Sequence, residues 1–436
     1  MTTVPADQPD TAGPGRVRQA EVYRAGALGH RSRVPTDPGR LEDAARRAMS
    51  RQAFAYVAGS AGGEATARAN RAAFDRHRIV PRALHGVRER DLSVELFGRR
   101  LPAPLLLAPV GVLEMAHRDA DRAVGAAAAA EGLPFVQSSQ ASVPMETVAA
   151  TMGDAPRWFQ LYASAADDLS DSFVARAEAS GCDAVVLTVD TTVLGWRCRD
   201  LDLGYLPFAH GLGIAQYVSD PVFQRLVDER VAAGPAGPSP KPTPAAVRTL
   251  LDLTRAYPGR FRDNIRSPRP RAAVETFLDV FSRPWLSWDD LARLRTRTRL
   301  PLLVKGILHP DDARRAVAAG ADGIVVSNHG GRQVDGSVAA LDALPGVAGA
   351  VGPDVPVLFD SGIRGGADIV KALCLGATAV LAGRPYVYGL ALDGAAGVRQ
   401  VLRNLVAELD LTLGLMGCAS VRDLSPDRLA PASPRI

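Results

Sequence analysis

The sequence predicts an α/β chain folded as a (β/α)8 TIM barrel, with an N-terminal helical extension and a long insertion after strand four. Three observations predict it. Short, almost wholly apolar runs recur eight times along the chain, and such runs, covered on both faces, belong to parallel sheets. The segments between them carry helical periodicity, and a strand-helix unit repeated eight times closes into a barrel. Polar residues gather where the apolar runs end, the edge at which barrels of this kind carry their sites.

Each element follows in order. Residues 1–40 are rich in Pro, Gly and charge without sustained periodicity, the composition of a flexible or loosely docked arm. A helical pattern starts at Leu41, with Ala45, Met49, Ala53 and Tyr56 on overlapping turns, and Gly59 with Gly62-Gly63 stops it. The barrel domain is expected over 41–424. Its strand runs are LLLAPVG (105–111), PFVQSS (134–139), RWFQLY (157–162), AVVLTVD (184–190), PLLVKG (301–306), GIVVSNHGG (323–331), VPVLFDSG (355–362) and AVLAGRP (379–385). Between them RDADRAVGAAAAAEG, ADDLSDSFVARAEASG, HPDDARRAVAAG and GADIVKALCLG read as helices. Asp167, Asp168, Asp311 and Asp312 suit the positive end of a helix dipole, and Gly181, Gly320 and Gly376 suit C-terminal caps.

The interruption at 191–283 far exceeds an ordinary βα connection. It reads as a lid over the rim, long enough also to bury subunit contacts, with a disordered spacer as the alternative for the Pro-rich 231–243 alone. Residues 425–436 read as a tail.

Hydrophobic residues at 47% and charged residues at 22% allow a sizeable core and exclude a wholly disordered chain. The 51 basic residues against 47 acidic ones leave only +4, without a Lys/Arg run, so nucleic acid is not an expected partner. Cys182, Cys198, Cys374 and Cys418 are scattered without metal-ligand spacing, as expected of reduced packing residues. No apolar leader or run of about 18 apolar residues occurs, so a cytoplasmic protein without membrane contact is expected. The sequence also lacks a metal motif or a Walker-type phosphate loop.

The strand ends bring forward the chemistry. Lys305 ends an apolar run, where an unpaired ammonium is costly and an anionic or electron-rich partner is expected. If Asp190 reaches His329, its carboxylate orients the imidazole and makes it a base near neutral pH. Arg332 and Arg197 offer forks for a planar carboxylate, and Tyr56 and Tyr162 offer hydroxyl donors. DSGIRGGAD (360–368) and AGRP (382–385) follow runs seven and eight, the usual barrel position for a phosphate cradle. His117 and His309 read as structural or capping residues.

SNHGGRQ, LTVD, FQLY, LVKG and DSGIRGGADIVKAL, in one chain, resemble the FMN-dependent 2-hydroxyacid oxidase and dehydrogenase family. GWRCRDLDLGYLPF, GIAQYVSDPVF and GRPYVYGLAL are most similar to its lactate 2-monooxygenase branch. The resemblance implies FMN as cofactor, with a small 2-hydroxy acid and O2 as reactants and a homo-oligomer, a tetramer or higher. It implies His329 as base, Asp190 as its partner, and Lys305 against the flavin N1 and C2 carbonyl. Tyr56, Tyr162, Arg197, Arg332 and Gln140 would hold substrate. Ala108, Pro109, Val110, Gly111, Ser138, Gln160 and Thr188 would line the ring, with Ser327, Asp360, Gly362, Arg364, Gly383 and Arg384 on the ribityl phosphate. The implied reaction is oxidative decarboxylation of lactate to acetate, CO2 and water. The alternatives are an oxidase releasing 2-oxo acid and H2O2, on a larger substrate in one variant, and a non-catalytic phosphate-ligand-binding barrel.

Overall fold

The structure, a computed structural model, describes residues 13–234 and 243–432. Its centre is a closed barrel of eight parallel strands. They are β1 (Leu105–Leu107), β2 (Phe135–Ser138), β3 (Arg157–Leu161), β4 (Ala184–Thr188), β5 (Leu302–Ile307), β6 (Gly323–Val326), β7 (Val357–Phe359) and β8 (Ala379–Ala382). Every strand falls on one of the apolar runs, β5 reaching one residue past its run to Ile307. The other strands end sooner than their runs do because the polar tips, including SNHGG and DSG, turn away as loops.

Alternation along each strand divides the core into two layers. Leu106, Val136, Trp158, Val186, Leu303, Val325, Leu358 and Leu381 point into the barrel. Leu105, Leu107, Phe135, Phe159, Val185, Val304 and Phe359 point out to the helices. A hairpin, Val94–Leu96 with Arg99–Leu101, closes the amino end of the barrel, where Phe97 meets Trp158 at 5.8 Å.

Register then decides which polar tips are neighbours. Ser138 pairs with Gln160 across β2 and β3, and Thr188 with Lys305 across β4 and β5. The β5–β6 ladder shifts between Lys305 and Ile307. Gly306 sits there at φ +110°, and a Cβ on it would stand 2.7 Å from the Asp190 Cβ. Glycine at this point lets Asp190 lie against β5 beside Lys305.

Outside the barrel the structure differs from the sequence reading in particular places. The single helix expected from Leu41 is two, Pro38–Ala48 and Arg51–Ala58, because Met49 is extended and the Ser50 side chain caps Ala53 N at 3.1 Å. Within the arm, Pro14–Ala27 is a helix docked on the C-terminal segment Arg384–Met416, two helices joined at a kink at Asp393 and Gly394, beyond which it packs. Its anchors are polar: Gly15 N donates to Asp410 Oδ2 at 2.9 Å, and Arg18 Nε to Asn404 Oδ1 at 2.9 Å. Val17, Val22 and Tyr23 stay exposed, so no apolar stripe announces this helix. The short strand His77–Ile79 pairs antiparallel with Leu429–Pro431.

The insertion folds mainly as helices, the longest being Pro221–Ala233, Pro244–Ala256 and Arg269–Val280. Tyr217 joins Phe223 and Phe277 in an aromatic cluster and reaches Phe173 of the barrel helix Asp167–Ala179 at 5.0 Å. The Pro-rich 231–243, read alternatively as a spacer, lies largely outside the described residues, as do residues 1–12 of the arm and 433–436 of the tail. Among the described residues, no helix is long and apolar enough to cross a membrane.

Candidate active site

One cavity opens at the carboxyl ends of the strands. Tyr56, Ala108, Pro109, Val110, Gly111, Gln140, Tyr162, Arg197, Lys305, His329, Arg332, Asp360, Gly362, Arg364, Gly383 and Arg384 all line it. Ser138, Gln160, Thr188, Asp190 and Ser327 stand outside that lining, bonded to its groups or in register beside them.

His329 begins a one-turn 3-10 segment, His329–Gly331, in a left-handed conformation (φ +58°). Such a φ is costly for a residue with a Cβ and requires external restraint. Ser327 Oγ accepts from His329 N at 3.0 Å, and Ser361 Oγ accepts from Gly330 N at 3.0 Å. Asn328 and Asn70 exchange amide bonds of 2.8 and 2.7 Å, tying the loop to the helix Ala65–Asp75. The two glycines that follow are needed for close approach: a Cβ on Gly330 would meet the Arg384 guanidinium, and one on Gly331 the Ala67 backbone.

The imidazole is oriented from one side. His329 Nδ1 lies 2.8 Å from Asp190 Oδ1, and Thr191 Oγ1 donates to the same oxygen at 2.9 Å. Burial would raise the Asp190 carboxyl, but His329 and Lys305 hold it down at about 2. An ionised carboxylate only accepts, so Nδ1 carries the hydrogen and Nε2 keeps its lone pair. Nε2 lies 3.5 Å from the Tyr162 hydroxyl. Burial lowers the His329 pKa despite Asp190, so the ring is neutral at pH 7. Burial pushes Tyr162 up to about 12, keeping its hydroxyl a donor.

Lys305 has protein partners, so its charge does not wait for a ligand. Its Nζ donates to Ser327 Oγ at 2.9 Å and lies 3.3 Å from Asp360 Oδ2 and 4.0 Å from Asp190 Oδ2. Burial would lower its pKa, yet the two carboxylates raise it above the usual lysine value.

The arginines are arranged differently. Burial and the neighbouring Arg197 push Arg332 down to about 9, and burial with Arg384 pushes Arg364 down to about 10. Like charges crowded at a cavity wall are relieved by a bound anion. Arg332 Nη1 is spent on the carbonyls of Tyr56 and Gly59, and its guanidinium lies over the Tyr56 ring. Arg384 bonds Val57 O, Gly59 O, Ser60 Oγ and Gly330 O, leaving Arg364 with more unspent donors. The backbone cradle expected in DSGIRGGAD is narrower than the sequence implies. The amides of Arg364 and Gly365 donate to Asp368, and that of Gly366 to Glu408.

The residues present fit a flavin. Gln160 Nε2 and Thr188 Oγ1 are buried without a hydrogen-bond partner among the described residues, at the tips of β3 and β4. Buried polar atoms of this kind demand a partner, and a flat heterocycle edged with carbonyls and ring nitrogens supplies it. Ala108, Pro109 and Gly383 leave the facing wall small.

Sequence reasoning missed Thr191, Leu194, Ser361 and the Asn70–Asn328 pair. Thr191 adjoins Asp190 and was within reach of a motif reading. Asn70 and Asn328 are 258 positions apart and gave no signal. His309 caps its helix through Nδ1 to Asp311 N at 3.1 Å, in keeping with its structural assignment.

A barrel whose rim joins a carboxylate-held histidine to two arginine pairs is a site built to take anions beside an oriented imidazole. Comparison with known proteins gives the family. The model of FMN-dependent dehydrogenases matches residues 45–431. An L-lactate oxidase of Lysinibacillus sphaericus is 40% identical over 88% of this chain and 90% of its own. An FMN-dependent alpha-hydroxy acid dehydrogenase of Penicillium citrinum is 39% identical over 94% of both chains. The crystal structure of mandelate oxidase with (S)-4-hydroxymandelic acid superposes with a TM-score of 0.74 at 36% identity, over 91% of this chain and 98% of that one. The chain belongs to the FMN-dependent dehydrogenase family and is an FMN-dependent oxidoreductase.

Proposed function

We propose that this chain oxidises an L-2-hydroxy acid to the 2-oxo acid, with FMN carrying the electrons and O2 accepting them. The observation that carries the reading is the His329 ring, fixed through Nδ1 by Asp190, its Nε2 free beside Tyr162, in one cavity with Arg332 and Arg197. The arginines bind the carboxylate, and their mutual repulsion favours an anion between them. Tyr56 and Tyr162 orient the 2-hydroxyl. His329 Nε2 takes the proton of that hydroxyl, and Asp190 stabilises the resulting imidazolium. Bound FMN would supply the two-electron acceptor for the hydrogen of C2. Gln160, Thr188 and Ser138 would hold the ring edge, with Lys305 beside them as a fixed positive charge. Arg364, Arg384 and Gly383 would hold the phosphate.

After reoxidation the reading favours release of 2-oxo acid and H2O2 over lactate 2-monooxygenase chemistry. Oxidative decarboxylation needs the 2-oxo acid retained beneath a closed cover. Among the described residues of the insertion, Thr191, Leu194 and Arg197 are those that reach the cavity, and beside them Val193 and Trp196 are 60% and 72% exposed. A homo-oligomer, as the family resemblance implies, is proposed alongside and is checked by sedimentation. The test is anaerobic reduction of the yellow protein by a panel of 2-hydroxy acids, then reoxidation in air with H2O2 and CO2 measured. Stoichiometric H2O2 supports the oxidase reading. CO2 without H2O2 supports the monooxygenase alternative. A flavin that no 2-hydroxy acid bleaches refutes both.

A further inference from the structure

Gln140 is 7% exposed and lines the cavity. Its backbone N donates to Ser138 Oγ at 3.1 Å, but its side-chain amide makes no hydrogen bond to protein among the described residues. The amide oxygen lies beside Gly111, another wall residue: a Cβ added there would stand 3.6 Å from Gln140 Oε1 and 3.0 Å from Gln140 Cβ. Glycine at 111 thus leaves this side chain the space it occupies. The loop is anchored, since Val112 N donates to Gln140 O at 3.0 Å and Ala141 N to Ser138 O at 3.2 Å. A donor and an acceptor are therefore held on a wall of the same cavity as His329, and neither is satisfied by the fold.

An amide that a ligand covers but leaves unpaired is costly, so a cavity carrying one discriminates in favour of ligands that complete it. The cavity's cations already have other duties: Arg197 and Arg332 face the substrate carboxylate, Arg364 and Arg384 the phosphate, and Lys305 its two carboxylates. A charged side chain on the substrate would find no further countercharge. An uncharged group that both donates and accepts matches a carboxamide.

We infer that Gln140 selects 2-hydroxy acids whose side chain carries an uncharged hydrogen-bonding group, a hydroxyl or amide, over their apolar isosteres. This deepens the proposed function and rests on it. It also turns Gln140 from a contact residue into the determinant of substrate class.

Matched pairs test it: L-glycerate against L-2-hydroxybutyrate, and (S)-4-hydroxymandelate against (S)-4-methylmandelate. Each pair differs by hydroxyl for methyl, at two distances from C2. The readout is the ratio of kcat/KM, polar over apolar, in the FMN-loaded wild type and in Gln140→Leu. FMN content confirms that the variant is folded, and Gln140→Met replaces it if Leu prevents folding. The expected result is a ratio of about ten or more in at least one pair, collapsing toward one in the variant. Acids that all reduce the flavin with no polar preference, or with a preference the variant keeps, overturn the inference and leave the proposed function standing. Failure of all four acids to reduce a flavin that another 2-hydroxy acid of the panel bleaches overturns the inference alone, and a flavin that no acid bleaches brings down both.

Discussion

The rim has two halves that handle charge in opposite ways. Across β4 to β7 each charge has a partner: Asp190 lies between the neutral His329 ring and the Lys305 ammonium, and Lys305 between Asp190 and Asp360. Around the same cavity the arginines face their own kind, Arg332 against Arg197 and Arg364 against Arg384. The charges of the first half are balanced by protein partners, and its geometry serves to hold one proton acceptor in place. The like-charged half is completed only by anions, and there the fold is organised around what binds.

The two halves therefore respond differently to mutation. The largest effect is expected from Lys305→Met, which strands two buried carboxylates. Loss of one partner from a buried ion network costs about 3–5 kcal/mol, so thermal unfolding of the FMN-free protein should move sharply downward. Arg332→Leu should do the reverse. It relieves like-charge crowding, so the melting temperature should change less, while kcat/KM for the 2-hydroxy acid falls by about 10²-fold or more, chiefly through KM. Arg364→Ala carries the same logic to the cofactor. FMN affinity measured by fluorescence titration should weaken by about tenfold or more, with flavin reduction in the loaded protein changing less. A Lys305→Met protein as stable as the wild type would break the comparison.

Smaller effects sharpen it. The His329 pKa is lowered, and the base must be neutral to act. Activity is therefore present above that pKa and lost as pH falls through it, placing the acid limb of kcat/KM below the ordinary histidine value of about 6.5. An acid limb well above 6.5 would contradict a buried neutral imidazole. Thr191→Val removes one donor from Asp190 Oδ1 and should slow flavin reduction only several-fold, about the worth of one hydrogen bond.

What the sequence made legible follows from which forces act locally. Apolar runs located all eight strands, and their polar tips located the rim, because period and burial are written residue by residue. Asp190, Lys305 and His329 were found for the same reason, each ending a run. The helix Pro14–Ala27 was not legible, since polar anchors to Asp410 and Asn404 hold it without an apolar stripe. The break at Met49 was hidden inside a continuous helical period. The Asn70 to Asn328 clamp and the pairing of Lys305 with Asp360 depend on register and closure, which no local pattern carries. The expected phosphate cradle was over-read for a related reason: GIRGG marks exposed amides, but Asp368 and Glu408 already occupy them.

The central claim is that the imidazole held by Asp190 takes a proton from a 2-hydroxy acid clamped by arginine. It is tested most directly by mixing FMN-loaded His329→Ala anaerobically with a 2-hydroxy acid that bleaches the wild type. The account predicts retained FMN, a saturable spectral shift on substrate binding, and flavin reduction slowed by about 10²–10⁴-fold. Reduction at the wild-type rate would contradict it.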